Sequence, residues 1–187
     1  MELPNTPAQP WLEPRRYWGA LSAATAGLDT PFGAVSVAAL AWNAHDMVRR
    51  AHGTTIRVAT KSVRVRGVVD AVLALPGYSG VLAYTLAEGL WLAGTIDDVV
   101  VGYPTVDRES LRALAADPLL ASRVTLMVDS VAQLDFIDTV VAPAQRATLR
   151  VCLDVCSRLI CQSPTLLSFC TCSSAKVSIT LTRCRML

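Results

Sequence analysis

The sequence predicts an α/β fold in which about five strands, each followed by a helix, lie parallel in one sheet. Between residues 55 and 155, short apolar runs alternate with amphipathic stretches of helical period. The residues at which successive runs end recur at intervals that suit one strand, one helix and short loops; they are Lys61, Tyr84, Tyr103, Asp129 and Asp154. Parallel strands need crossover connections, so this alternation predicts a parallel sheet that either stays open or curls toward a barrel.

Residues 56–66 contain the side chain with the clearest chemical potential. An apolar run ends at Thr60, Lys61 follows, and a helical pattern begins at once. The amine of Lys61 is therefore predicted to lie at the carboxyl end of a strand, where α/β barrels carry their catalytic groups. Low-dielectric surroundings would favour a neutral, nucleophilic amine there, and the three arginines of this stretch could bind a phosphate. An exposed loop lysine without chemistry is the alternative.

Helix-capping residues mark where the later helices begin. Thr85 and Glu88 have capping-box spacing, as do Ser130 and Gln133, and Asp107 is placed to cap the helix between them. We therefore interpret Glu88 as a cap and not as an acid catalyst. The later strands are predicted at residues 80–84, 98–103, 124–129 and 148–155.

The segment before the first strand–helix unit carries no predicted chemistry. Residues 1–28 form a lead-in punctuated by prolines, and residues 32–37 have the composition of a short strand. A helix of apolar 3.6-residue period is predicted next, with Gly53 placed to end it. His45 and His52 lie on this helix or just past it, and we interpret them as surface or cap histidines.

Composition and charge exclude several classes of protein. The 187 residues are 52% apolar and 17% charged, outside the disordered class, and a formal net charge of +2 predicts no nucleic-acid partner. A membrane span needs about 20 predominantly apolar residues, and the long uncharged stretches are broken by Pro, Gly or polar residues. The N-terminal residues also lack the apolar core of a secretory signal. We expect a soluble, cytoplasmic protein.

The chain changes character near residue 155. Asp154 is the last acidic residue, and five of the six cysteines follow it. Their spacing fits neither a disulfide framework nor a zinc site, since Cys170 and Cys172 have no second pair and no histidine nearby, so no metal is expected. Residues 156–187 form an irregular tail rich in Cys, Ser and Thr, with one strand-like run at 177–181.

Several stretches of the chain, in order, resemble one known family. The longest is DTPFGAVSVAALAWNAHDMVRRAHGTTIRVATKSVRVRGVVDAVL, followed by LAYTLAEGLWLAG, DDVVVGYPTVDRESLRALAADP, VTLMVDSVAQLDFID and LRVCLDV. Together they resemble the N-terminal part of the alanine-racemase-like, fold-type III pyridoxal-phosphate proteins. The resembling branch contains amino-acid deaminases, aldolases and racemases similar to D-threonine aldolase and D-serine dehydratase. The resemblance covers residues 29–155.

The resemblance implies a partial (β/α) TIM-type barrel and a cofactor. In that family the lysine that ends the first barrel strand forms a Schiff base with pyridoxal 5′-phosphate, and Lys61 occupies the matching position. Tyr103 and Asp129, at the ends of later strands, would line the cofactor face, with packing or loop capping as the alternative for each. The implied activity is that of a lyase or isomerase acting on D- or β-hydroxy amino acids, with homodimers among complete relatives.

The resemblance stops at Cys156. Relatives continue with an acidic residue, a basic residue and glycines, whereas this chain continues CSRLICQSP, so Arg158 is not equated with the cofactor-contacting arginine of that loop. The later barrel strands, the main phosphate-binding loops and the C-terminal β-domain of relatives have no counterpart, which predicts a truncated and impaired aldolase, dehydratase or racemase.

We hypothesise that residues 156–187 result from a frameshift or truncation. Reading the coding DNA in the other two frames past codon 155 tests this, and the absence of a barrel continuation in both would contradict it. Two other interpretations stay open: a non-catalytic protein that binds or carries pyridoxal phosphate, and an inactive degenerate product.

Overall fold

The computed structural model describes residues 1–154 and 177–179. The chain divides into two compact units: unit 1 contains Met1–Val58 and Arg64–Ser79, and unit 2 contains Ala59–Val63 and Gly80–Leu187. Except for one strand, the predicted tail and its five cysteines lie outside the described residues.

The described residues form helices and strands in the alternation that the sequence predicts. The helices are α1 (Pro14–Thr25), α2 (Val37–Arg50), α3 (Thr60–Val63), α4 (Arg66–Leu73), α5 (Leu86–Ala93), α6 (Arg108–Ala116), α7 (Pro118–Arg123) and α8 (Val131–Val140). The strands are β1 (Ile56–Ala59), β2 (Tyr78–Ala83), β3 (Val99–Val101), β4 (Val124–Val128), β5 (Leu149–Leu153) and β6 (Val177–Ile179).

A small apolar core holds unit 1 together. Its buried members are Leu3, Ala41, Ala71 and Val72, and the ring of Tyr78 packs against them. The Tyr78 hydroxyl donates a 2.9 Å hydrogen bond to a carbonyl oxygen of α2, and burial raises the pKa of this phenol. The N-terminal segment is thus packed into unit 1 through Leu3.

Ser36 begins α2, and its position corrects one prediction. The Ser36 hydroxyl accepts a 3.4 Å hydrogen bond from the Ala39 N–H, which satisfies one of the donors left over at a helix start. The strand predicted at residues 32–37 is wrong, because these residues are irregular up to the cap and Phe32 and Val35 are exposed. The strand propensity of these residues does not produce a strand here, because Ser36 caps α2 and the apolar side chains are not buried.

The end of α2 follows the sequence prediction. Gly53 adopts a left-handed φ of +84°, which suits a glycine just past a helix. His52 is exposed and has a φ of +46°, and His45 Nε2 lies 3.1 Å from the carbonyl oxygen of Leu3. His45 thus contacts the N-terminal segment of unit 1, and His52 lies on the surface just past α2.

The helix predicted to follow Lys61 is interrupted. After α3 ends at Val63, Arg64 takes a left-handed φ of +45° and Val65 is extended, so α4 begins only at Arg66. The left-handed conformation costs roughly 1–2 kcal/mol for a residue with a Cβ. The break confines Lys61 to a helical segment of four residues.

The strands lie in the sheet in chain order, and β2 to β6 pair in parallel. The register places Ala83, Val101, Leu126 and Val151 in one row across β2, β3, β4 and β5. The parallel α/β sheet predicted from the sequence is confirmed, with strand bounds that differ by a few residues. Because the strands are parallel, the residues that follow them emerge at one edge.

The core of unit 2 is built from valine and leucine. Full burial of such a side chain contributes roughly 1.5–3 kcal/mol relative to leaving it in water. The fully buried residues of the strands are Val81, Val99, Val101, Val124, Leu126, Val128 and Val151, and those of the helices are Leu86, Leu92, Leu111 and Leu114.

Candidate active site

Lys61 is the second residue of α3, directly after β1. The preceding residue, Thr60, is only 2% exposed, and its Oγ1 donates a 3.3 Å hydrogen bond to the carbonyl oxygen of Leu82 in β2. This bond ties the start of α3 to the end of a neighbouring strand and gives the Lys61 backbone a defined place. The Lys61 side chain itself is exposed, so the low-dielectric surroundings expected from the sequence are not found.

Tyr84 follows β2 and is held by the cap of the next helix. The Thr85 hydroxyl accepts a 3.2 Å hydrogen bond from the Glu88 N–H, and Glu88 Oε2 accepts a 2.9 Å hydrogen bond from the Tyr84 N–H. The two bonds form a reciprocal cap at the start of α5. Glu88 is therefore a capping residue, as the spacing predicted, and its cap fixes the backbone of Tyr84.

Tyr103 follows β3 by way of Gly102. The Gly102 N–H donates a 2.9 Å hydrogen bond to the carbonyl oxygen of Ala83, which extends the pairing of β2 and β3 by one step. A Cβ at Gly102 would lie 3.1 Å from the side chain of Leu82, so the close approach of the two strands favours glycine here. Tyr84 and Tyr103 are in consequence the first side chains past the ends of adjacent strands.

The Lys61 amine lies over the rings of both tyrosines. Nζ is 4.7 Å from the ring centroid of Tyr84 and 5.5 Å from that of Tyr103. The two rings stand edge to face, with centroids 5.4 Å apart and an interplanar angle of 84°. Both distances fall within the range of about 6 Å in which a ring face attracts an ammonium group. We call Lys61, Tyr84 and Tyr103 the amine–tyrosine cluster.

Two cavities adjoin the amine–tyrosine cluster. One, of about 330 Å³, is lined by Lys61, Tyr84, Thr85 and Tyr103. The other, of about 270 Å³, lies between Tyr84 and the loop that begins at Tyr103 and ends at Asp107. Small-molecule sites usually measure about 300–1,000 Å³. The first cavity therefore has room for a small ligand in contact with the amine.

Hydrogen bonds at Thr105 and at Asp107 hold the loop after β3, which lines the second cavity. The carbonyl oxygen of Thr105 accepts a 2.6 Å hydrogen bond from Gln133 Nε2. Asp107 caps α6 and accepts hydrogen bonds from the hydroxyl and the N–H of Ser110, and these bonds lower the pKa of its carboxyl group. Asp107 is thus used as a helix cap.

Asp129 stands apart from the cavity that the other two predicted site residues share. It follows β4, is exposed, and accepts a 3.0 Å hydrogen bond from the Ser130 hydroxyl. The structure brings Lys61 and Tyr103 together, but Asp129 lines neither of the two cavities. Its role at a cofactor face stays a prediction.

Tyr84 and Thr85 are the site residues that the sequence did not single out. Both line the cavity beside Lys61. The signal that points to Tyr84 is its position, since it follows one predicted strand as Tyr103 follows the next. Arg66 pairs with Asp70 at 2.7 Å. Phosphate binding by Arg57, Arg64 and Arg66 stays a prediction.

Within residues 1–154, no group of three His, Cys, Asp or Glu side chains is arranged to hold a metal ion. The helices of this part of the chain are also too short or too polar to cross a bilayer. No protein-family model matches the chain, and a comparison with curated proteins finds no match.

Two solved structures share the fold of this chain. One is the crystal structure of D-threonine aldolase from Filomicrobium marinum, with a TM-score of 0.58 and 25% sequence identity over 68% of this chain and 35% of that one. The other is a histidine-to-alanine mutant of D-threo-3-hydroxyaspartate dehydratase, with a TM-score of 0.59 and 22% identity over 74% of this chain and 37% of that one.

Both neighbours are fold-type III pyridoxal-phosphate enzymes, the group that the sequence resembles. The resemblance stated from the sequence is therefore confirmed, and it is confirmed for the N-terminal part, because the chain spans only about a third of the length of these two proteins. The identity with the dehydratase is low enough that this likeness concerns the fold alone.

Proposed function

We propose that the chain binds pyridoxal 5′-phosphate covalently through Lys61 Nζ, as part of a lyase-type site for amino acids. The observation that carries this proposal is the exposed amine of Lys61, which lines a cavity of about 330 Å³ together with two tyrosine rings. The likeness to an aldolase and a dehydratase of D-amino acids supports it. We also propose that the sheet is part of a (β/α) barrel of the TIM type.

The residues of the cluster fit the aldehyde and ring portion of this cofactor. A primary amine is the group that bonds to its carbonyl carbon, and the faces of Tyr84 and Tyr103 offer flat apolar surfaces beside that amine. Thr85 adds a hydroxyl at the rim of the same cavity. Lys61 would therefore hold the cofactor, and Tyr84, Thr85 and Tyr103 would flank it.

The bound cofactor supplies an electron sink for negative charge that develops at Cα of an amino acid. The contribution of this chain is placement. Thr60 fixes the backbone next to Lys61 through Leu82, and the cap made by Glu88 fixes Tyr84. The amine is thus presented at the strand ends, where parallel α/β proteins bind their ligands.

The exposure of the cluster supports a second candidate, a non-catalytic protein that binds or carries the cofactor. Lys61 is exposed, and the side chains of Tyr84 and Tyr103 are 39% and 51% exposed. Catalysis on reactive carbanions generally needs water to be excluded from the site. The described residues supply no cover for the amine, so binding without turnover is the outcome that this observation favours.

Absorbance titration tests the proposal. The purified chain is titrated with pyridoxal phosphate, and we expect a new visible band at one equivalent. The band should be lost in Lys61→Ala and kept in Lys176→Ala, which replaces the one other lysine of the sequence. An unchanged band in Lys61→Ala would contradict the assignment of Lys61.

Product assays then separate the two candidates. The loaded chain is incubated with D-threonine, which an aldolase cleaves to glycine and acetaldehyde, and with D-serine, which a dehydratase converts to pyruvate and ammonia. Product that depends on Lys61 identifies a lyase. Stoichiometric binding without either product identifies a binding or carrier protein. The cytoplasmic location and an amino acid as the partner ligand are part of the same proposal.

A further inference from the structure

We propose that Tyr84 is a positioning residue for Lys61. Its ring, with the ring of Tyr103 set across it, confines Nζ to the mouth of the 330 Å³ cavity. The proposal rests on the proposed function in taking Lys61 as the reactive group. It assigns to Tyr84 a role in positioning the amine, a contact that the sequence did not predict.

The geometry of the two rings explains why both are needed. A lysine side chain has a flexible four-carbon stem, so one ring face would restrain Nζ along one direction only. Here the rings meet at 84°, and their faces form a corner around the amine. An ammonium group attracted to both faces at once loses much of its freedom to swing away from the cavity.

The backbone at both tyrosines is held by hydrogen bonds that do not involve Lys61. The Tyr84 N–H is bonded to Glu88, whose helix α5 starts at that point. The residue before Tyr103, Gly102, is bonded to Ala83 at the end of β2. The strand ends and a helix cap therefore set where the backbone carries each ring. We infer that the rings restrain the position of the Lys61 amine and that the amine does not position the rings.

Of the two rings, Tyr84 has the larger part. Its centroid is 0.8 Å nearer to Nζ, at 4.7 Å against 5.5 Å, and its side chain is the less exposed of the two. Attraction between a cation and a ring face weakens with distance and with access of water. Removal of the Tyr84 ring should therefore free Lys61 more than removal of the Tyr103 ring.

A measurement on the chain without cofactor tests this arrangement. Reductive methylation with ¹³C-formaldehyde labels the amines of Lys61, Lys176 and the N-terminus, and the Lys61 signal is identified by its loss in Lys61→Arg. A methylated amine over an aromatic face is shifted upfield by the ring current. We expect such a shift in the folded chain and its disappearance in urea. The shift should be retained in Tyr84→Phe and should decrease strongly in Tyr84→Leu.

Tyr103→Leu should cause a smaller decrease. Trp91→Leu, which removes an exposed ring elsewhere on α5, should cause none.

The functional consequence is measured as the rate at which pyridoxal phosphate becomes fixed to Lys61 by borohydride. We expect a lower rate in Tyr84→Leu and a rate near that of the wild type in Tyr84→Phe, because without the ring the flexible stem of Lys61 can carry the neutral amine that reacts away from the cavity. An unshifted Lys61 signal in the folded wild type overturns the proposal without any variant, and so does an equal rate in Tyr84→Leu. Failure of wild-type Lys61 to take up the cofactor would instead contradict the proposed function, and the methyl shift would still decide the role of Tyr84.

Discussion

Thr60 and Leu82 are joined by a 3.3 Å hydrogen bond from the threonine hydroxyl to the leucine carbonyl oxygen, one residue before Lys61. Thr60 is buried at 2% exposure, so its hydroxyl has a protein partner where water has no access. The bond connects the segment that carries Lys61 to β2. It is a contact that holds the backbone next to Lys61 to the rest of unit 2.

Replacement of Thr60 by valine removes this hydrogen bond while it conserves the shape of the side chain. We expect Thr60→Val to lower the free energy of unfolding by about 1 kcal/mol, the usual net value of one intramolecular hydrogen bond. Urea titration measures the change. Thr139→Val is the matched control, because Thr139 is exposed and bonds only within its own helix, to Phe136. Equal midpoints for Thr60→Val and wild type would show that the bond does not support α3.

The buried side chain of Arg146 forms an ion pair with the partly exposed Asp138 in unit 2. Arg146 has a side chain that is 2% exposed, and it contacts Asp138 at 2.7 Å and the carbonyl oxygen of Val141 at 2.8 Å. Arg146→Ala leaves that carbonyl without its donor, so we expect a loss of about 1–3 kcal/mol in the free energy of unfolding. Thermal or urea unfolding measures it.

The control for Arg146 is Arg16→Ala. Arg16 lies 3.7 Å from Glu13 in a pair whose side chains are 84% and 71% exposed, and such pairs contribute little. We expect a change within about 0.5 kcal/mol there. Similar losses in the two variants would contradict the account of Arg146 as a buried side chain that holds the end of α8.

The cap made by Asp107 should make the free energy of unfolding depend on pH in the acidic range. The hydroxyl of Ser110, and then its N–H, lower the pKa of the Asp107 carboxyl group in the folded chain. Folding is therefore stabilised above the ordinary pKa of aspartate, about 3.9, and the contribution is lost as the pH falls through the lower folded value. Asp107→Asn keeps a capping oxygen but does not titrate.

Unfolding free energies measured from pH 7 down to pH 2 test this dependence. We expect the difference in unfolding free energy between wild type and Asp107→Asn to be constant at neutral pH. Below pH 4 the wild type should lose this advantage, and its stability should approach that of the variant. Glu109→Gln, at the second residue of α6, removes a neighbouring carboxylate as a control. A difference that stays constant down to pH 2 would contradict the role of Ser110 in holding the carboxylate.

The sequence predicts the parts of the fold that depend on local spacing. The caps at Thr85 and Ser130 follow from capping-box spacing, the cap at Asp107 follows from a polar residue just before a helical pattern, and the structure has all three. Runs of apolar β-branched residues likewise predict β3 and β4. At residues 32–37 the same reasoning is wrong, because a strand needs a neighbour to cover it and those side chains are exposed.

The site is predictable only in part, because its contacts depend on how strands align. Lys61 and Tyr103 stand out in sequence at strand ends, but their approach depends on the register that pairs Ala83 with Val101. Tyr84 enters the cluster through that same register, which no local pattern encodes.

Mapping the covalent attachment site tests the central claim most directly. The chain is incubated with pyridoxal phosphate, reduced with borohydride, digested and examined by mass spectrometry. We predict one cofactor per chain on the peptide that contains Lys61, no specific label in Lys61→Arg, and unchanged labelling in Lys176→Arg. Label distributed equally over Lys61, Lys176 and the N-terminus, or retained at one equivalent in Lys61→Arg, would contradict the claim that this amine is the cofactor site.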